Sequence, residues 1–196
     1  MTDNATITEQ RLRLARHRGQ LTDPQSLAAA AQILVVVDTL LDLAYAVTTG
    51  TGGPLLVPLA RLQLPGLLTA GVVFLIWFWR CHTNIRALAP ERLTFSPGTA
   101  VVVWFVPIVC LWQPRQAIMD LARATGGVST RLVNAWWAAW LTQLLGRPAL
   151  TFAFGLAGYR GSATPWLALA DTAAAALVIP MIRQITAAQR ALIHAR

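Results

Sequence analysis

The chain has 196 residues, 56% of them hydrophobic and only 12% charged, with a formal net charge of +8. Soluble domains carry about 25% charged residues, so half that density, at a mean hydropathy of +0.53, excludes an ordinary water-soluble globule and points to lipid as the solvent. All sixteen basic residues are arginine, which together with the Ala, Leu and Val richness suggests a GC-rich genome. Arginines flanking apolar helices set topology and touch anionic lipid, and the charge is read that way rather than as a nucleic-acid footprint.

Residues 1–25 form a basic cytoplasmic arm or a short interfacial helix, with Ile7, Leu12 and Leu14 set among Arg11, Arg13, Arg16 and Arg18. The polar start has no short apolar stretch followed by a small-residue cleavage site, so no cleavable signal peptide is visible. Four later stretches are long enough to cross about 30 Å of hydrocarbon: residues 26–48, 62–79, 134–158 and 165–182. The third is interrupted by Gly146-Arg147-Pro148. Barrel-type alternation is absent, so the expected fold is all-α: a polytopic transmembrane helical bundle spanning residues 26–184, with 185–196 as a cytoplasmic tail.

Between the second and third spans, residues 99–112 are intensely apolar but reach only about 21 Å as helix. Ser96-Pro97-Gly98 opens this stretch, Pro107 interrupts it and Pro114 closes it. Segments of that length more often re-enter or lie at the interface than span, and irregular backbone is tolerated there when other helices bury it. After it, 116–124 reads as an amphipathic helix, with Ile118, Met119, Leu121 and Ala122 opposite Asp120 and Arg123, ended by Gly126-Gly127.

Arginine placement arbitrates between a span and a re-entrant element at 97–114. If the segment re-enters, thirteen arginines fall on the cytoplasmic side, only Arg61 and Arg160 fall outside, and Arg147 lies within a span. The positive-inside rule therefore favours four spans plus a re-entrant Pro-bounded helix in the cytoplasmic (inner) membrane, with both termini cytoplasmic. Tryptophans agree with this as interfacial belts: Trp77 and Trp79 close the second span, Trp136, Trp137 and Trp140 open the third, and Trp166 opens the fourth.

Ionisable groups within spans are costly and usually face the bundle interior. Four qualify: Asp38, Asp42, Arg147 and Asp171. Counting from the outer ends puts Asp38 and Arg147 near the midplane, about 15 Å deep, and Asp42 and Asp171 shallower, about 9 Å deep. That spacing permits an Asp38–Arg147 ion pair acting as interhelical glue, or a proton or solute pathway. No phosphate loop, metal motif or nucleophile elbow appears, so no catalytic residue, metal or cofactor is implied. His17, His82 and His194 sit in Arg-bearing regions and read as solvated or interfacial, and Cys81 and Cys110 read as structural thiols.

The block from Trp77 to Thr125 carries Arg80 and Asn84 in WRCHTNIRAL, then Phe95-Ser96-Pro97-Gly98, the Trp104-Phe105-Val106-Pro107 run and Leu111-Trp112-Gln113-Pro114. With the Trp136-Trp137 and Trp140 cluster and a tail bearing Ile185, Thr186 and Gln189, it resembles the bacterial membrane family called domain of unknown function 4328, over about residues 70–195. The resemblance implies a multi-pass membrane protein and no known activity, so it carries over no catalytic residues. Arg115 departs from the pattern, standing where an aromatic residue is expected.

Arg80 and Asn84, at i and i+4, are expected either to bond backbone freed by Pro97, Pro107 or Pro114, or to form a headgroup or partner site on the inner face with Arg86, Arg92 and Arg115. The favoured function is a non-enzymatic membrane module that binds a protein partner, a second copy or anionic lipid headgroups through its basic cytoplasmic face. The alternative is a small transporter or channel built on Asp38, Asp42, Arg147 and Asp171.

Overall fold

The computed structural model describes residues 21–51, 53–155 and 165–194, with Gln10, Arg13 and Leu14; its side-chain description excludes Arg147, Leu150, Thr151, residues 153–155, Pro165 and Trp166. The N-terminal arm therefore lies almost wholly outside the described residues. Four long helices carry the chain: α1 (Gln25–Thr51), α2 (Leu56–Leu88), α5 (Thr130–Gly155) and α6 (Pro165–His194). Between α2 and α5 run a 3₁₀ turn (Pro90–Arg92), the short α3 (Pro97–Val102), a second 3₁₀ turn (Val109–Leu111) and α4 (Gln113–Thr125). Among the described residues there is no strand.

Three helices are long and apolar enough to cross a membrane, over Gln25–Thr49, Leu56–Leu88 and Leu167–His194. Their outer faces are apolar as well as their inner ones: Ile33, Val36, Leu40 and Val47 on α1, and Leu62, Leu64, Leu67 and Val72 on α2, are all exposed. An all-round apolar helix needs an apolar surrounding, which lipid supplies. α5 is not among the three; its 26 residues are long enough, but it carries Asn134, Gln143, Arg147 and three tryptophans. It runs as helix through Gly146-Arg147-Pro148, where the sequence suggested an interruption.

Close contacts fix the helix directions. Asp42 meets Gln63, Asp38 lies against Gly66, and Asn84 meets Thr22, so α1 and α2 run antiparallel. A Cβ at Gly66 would stand 2.8 Å from Asp38 Oδ1, so the Asp38 side chain lies directly over the glycine. Gly146 plays the same part against Leu167 where α5 meets α6. Trp77 with Thr186 and, further along both helices, Asn84 with Gln189 make α6 parallel to α2. Thus α1 begins, α2 ends, α5 begins and α6 ends at one end of the bundle, here termed the basic end. α1 packs between α2 and α6, and α5 packs on α6.

The core is concentrated at that end. Trp77, Phe78 and Ile85 of α2, Ile118 and Leu121 of α4, Val133 of α5 and Met181, Ile182 and Ile185 of α6 are buried together. Trp136 and Trp137 are buried too, so they and Trp77 are core residues where interfacial anchors were expected. The reason is local: Trp104 reaches over from the α3 hairpin with its ring centroid 5.6–6.3 Å from those of Phe74, Trp136, Trp137 and Trp140, closing an aromatic cluster. Asp120 is also buried rather than on a polar face, because its carboxylate accepts the Thr94 N–H (3.4 Å) and lies 3.9 Å from Arg123. Gly126 and Gly127 end α4 with φ of 75° and 83°, as the sequence predicts. α6 does not stop at 184; it continues to His194 and buries Ile185, Thr186 and Gln189.

The segment 97–112 is a hairpin. Ser96 caps α3 by accepting the Thr99 N–H (3.2 Å), with Pro97 at its first turn. The chain then turns over Trp104–Ile108 and returns, and the Thr94–Asp120 bond closes its base at the basic end. Ile108 holds φ +67°, a backbone region that costs a β-branched residue about 1–3 kcal/mol. Ala100 and Val103 pack inward, while Phe105 and Ile108 at the tip are 70% and 71% exposed.

Candidate functional site

At the basic end, polar side chains repeat along the face that α2 turns to α6. Trp77 Nε1 donates to Thr186 Oγ1 (3.1 Å), and Gln189 Nε2 donates to the Cys81 carbonyl (3.0 Å). Asn84 Nδ2 donates to Gln189 Oε1 (3.1 Å) and to the Thr22 carbonyl (2.9 Å), while its Oδ1 accepts the Thr22 N–H (3.2 Å). Asn84 and Gln189 are buried, and this arrangement satisfies donors and acceptors of both amides, as burial requires. Arg80 joins it by donating to Thr22 Oγ1 (3.1 Å) and lies 5.7 Å from the Trp79 ring centroid. Arg80 and Asn84 therefore hold the entry to α1 rather than backbone freed by the prolines.

The other arginines of that face are separate. Arg115 donates through Nε and Nη2 to Asn134 Oδ1 (3.0 and 2.7 Å), tying α4 to α5, whereas Arg86 and Arg92 are exposed. His82, expected to be solvated, is fully buried: its ring stands edge-on to Phe78 at 4.5 Å, and Nε2 lies 3.2 Å from the Ala117 carbonyl. α4 packs across α2 at this level and covers it.

Sequence reading passed over two features at this end. Asp23 accepts the Gln25 N–H (2.9 Å), lies 3.2 Å from Arg190 Nε and 3.5 Å from His194 Nε2, and so pins the start of α1 to the end of α6. Partial burial pushes its carboxyl up, but the Gln25 N–H, His194 and Arg190 together outweigh that and hold it below the usual carboxylate range. Beside it, α1 and α6 form an open cleft of about 410 Å³ lined by Gln25, Gln32, Ile33, Arg183, Thr186 and Arg190. The signals were present as i, i+7 pairs, Gln25 with Gln32 and Arg183 with Arg190, which put each pair on one helix stripe.

In the middle of the bundle, α1, α2, α5, α6 and the hairpin line a second open cleft of about 350 Å³. Asp38 and Asp171 both line it. Asp171 accepts the Gln143 amide through Oδ1, while its Oδ2 is inaccessible and has no hydrogen-bond partner among the described residues. Asp42 stands apart, accepting from Gln63 Nε2 (2.8 Å). Asp38 and Asp171 thus line one cleft, which Asp42 does not. The Arg147 side chain, and with it the expected Asp38–Arg147 pair, lies outside the described residues. Among the described residues no three His, Cys, Asp or Glu side chains converge as a metal site.

A family model described as domain of unknown function (DUF4328) matches residues 55–187. The chain belongs to that family. The DUF4328 match takes in α2, the hairpin, α4, α5 and most of α6, and so contains Asn84, Trp104 and Thr186 but not α1. No curated protein and no solved structure matches the chain. What the family and the helices together establish is a domain of unknown function with three helices long and apolar enough to cross a membrane.

Proposed function

We propose that this DUF4328 protein is a four-span, non-enzymatic membrane module with both termini cytoplasmic, and that it binds acidic lipid headgroups at its basic end. The hairpin at 97–112 is then a re-entrant element, since it leaves and rejoins the bundle at one end and exposes apolar residues at its tip. The observation that carries the lipid reading is the α1–α6 cleft. Arg183 and Arg190, two turns or about 10.5 Å apart along α6, share it with the amides of Gln25 and Gln32, and no carboxylate lines it among the described residues. Guanidinium groups match phosphate geometry, and exposed Ile33 beside them offers an apolar surface for an acyl chain.

Topology reporters fused after Glu91, Thr125 and the C-terminus should all read cytoplasmic. A Thr125 reporter outside would make the chain five-span and end the re-entrant reading. For lipid, the full chain purified in mild detergent should retain phosphatidylglycerol over phosphatidylcholine by native mass spectrometry, and Arg183→Gln with Arg190→Gln should cut that retention at least fivefold. Equal retention of the two lipids, or no change in the double variant, would refute the headgroup site.

A further inference from the structure

Of the two arginines that line the α1–α6 cleft, one is already engaged. Arg190 Nε donates to Asp23 Oδ2 (3.2 Å), and its Nη1 donates to Gln25 Oε1 (3.5 Å). The same Asp23 oxygen lies 3.5 Å from Nε2 of His194, one turn further along α6. One carboxylate oxygen is thus shared between a guanidinium that is always charged and an imidazole, the side chain type whose charge changes between pH 5 and 8. Asp23 is anchored on the α1 side. Its Oδ1 accepts the Gln25 N–H (2.9 Å), and Thr22 before it is held by Asn84 through both backbone groups and by Arg80 through its hydroxyl. The groups that can exchange are the α6 side chains, with Arg190 45% and His194 62% exposed.

The charges around Asp23 are few. α6 brings Arg190 and His194, with Arg183 two turns deeper in the cleft; α2 brings Arg80, on the neighbouring Thr22; α1 carries no charged residue before Asp38. Burial pushes the Asp23 carboxyl up, but the Gln25 N–H, His194 and Arg190 hold it below the usual carboxylate range, so it stays ionised while imidazole titrates. A hydrogen bond from imidazolium to carboxylate is charge-assisted at both ends and stronger than one from neutral imidazole. We propose, on the headgroup reading of this cleft, that Asp23 is a latch on Arg190 which protonation of His194 releases. At high pH Asp23 keeps Arg190 from a lipid phosphate. At low pH the imidazolium takes Asp23, and Arg190 joins Arg183 in holding the phosphate, so lipid retention rises as pH falls.

The test equilibrates the full chain in mild detergent with phosphatidylglycerol at about pH 5.5 and about pH 8, on either side of the ordinary imidazole value. Bound lipid is counted by native mass spectrometry. Exposed ion pairs are weak, so the parent should retain about threefold more lipid at the acid pH. Asp23→Asn should show the higher retention at both pH values, and His194→Ala the lower retention at both. Both changes fall on partly exposed side chains, and each tests the latch without the other. A parent whose retention does not change with pH would overturn the latch while leaving the headgroup site in place, provided that Arg183→Gln with Arg190→Gln still cuts retention. If that double variant changes nothing, the headgroup reading fails and the latch fails with it. A pH response that survives His194→Ala would assign it to another group, such as His17 or His82. One that survives Asp23→Asn would mean that the imidazolium attracts phosphate directly; either result would overturn the proposal.

Discussion

The two ends of the bundle are built on different principles. At the basic end, α1, α2, α4, α5 and α6 bury aromatic and aliphatic side chains against one another and satisfy their amides within the chain. Toward the other end the described parts of α1 and α2 touch mainly each other and turn Leu40, Val47, Leu62 and Leu64 outward. The first end would be recognisable in a water-soluble protein; the second needs lipid to complete it. Packing therefore specifies the basic end, whereas the opposite half is specified by solvent and by a few close approaches such as Gly66 against Asp38.

The largest expected effect tests that contrast directly. Trp77→Ala deletes a fully buried ring and the bond to Thr186, and should lower stability by about 3–5 kcal/mol. Leu64→Ala removes a side chain that is 61% exposed and should stay within about 0.5 kcal/mol of the parent. Denaturant titration in detergent measures both. Equal losses would mean that the two ends are packed alike and would remove the contrast.

An intermediate effect belongs to Asn84. Asn84→Ala strands the Gln189 Oε1 and the Thr22 backbone groups, for which about 1–3 kcal/mol is the usual cost of an unsatisfied buried partner. The double variant with Gln189→Ala should lose less than the sum of the single losses, since both changes break the same bond. Strict additivity would show that the two amides are not coupled in solution.

How much of this was legible follows from the periodicities. The all-helical class, the helix ending at Gly126-Gly127 and the break in long helix between Pro97 and Pro114 were visible because apolar run length, glycine and proline act locally. The family was legible too, in FSPG, WFVP and LWQP. Burial direction was not. Trp77, Trp136 and Trp137 satisfy a belt pattern in one dimension; the segment that brings Trp104 against Trp136 and Trp137 makes those two core, and Trp77 is buried against Phe74 and bonded to Thr186 of α6. Depth counting carries no information on which helix face meets which neighbour, so it did not show that Asp38 and Asp171 line one cleft. Asn84 stood out as a family residue, but its partners Thr22 and Gln189 are 62 and 105 residues away, a separation that no local rule reaches.

The smallest effect concerns Asp23, which holds the ends of α1 and α6 together. Its carboxyl is held below the usual value of 3.8, so the fold favours the ionised form. The stability this contributes is present above that value and is lost as pH falls through the lower folded-state value. With Asp23 side-chain exposure at 38% and Arg190 at 45%, solvent screens the pair, and about 0.2–1 kcal/mol is expected. Thermal midpoints of the parent and Asp23→Asn should therefore differ most near pH 6 and converge toward pH 3. The same variant also separates structure from binding at the basic end. Asp23 competes with a lipid phosphate for Arg190, so Asp23→Asn should weaken the fold slightly while leaving retention of phosphatidylglycerol intact or raising it. If retention fell with stability, the basic end would be holding lipid only by being folded, and the α1–α6 cleft would not be a site in its own right.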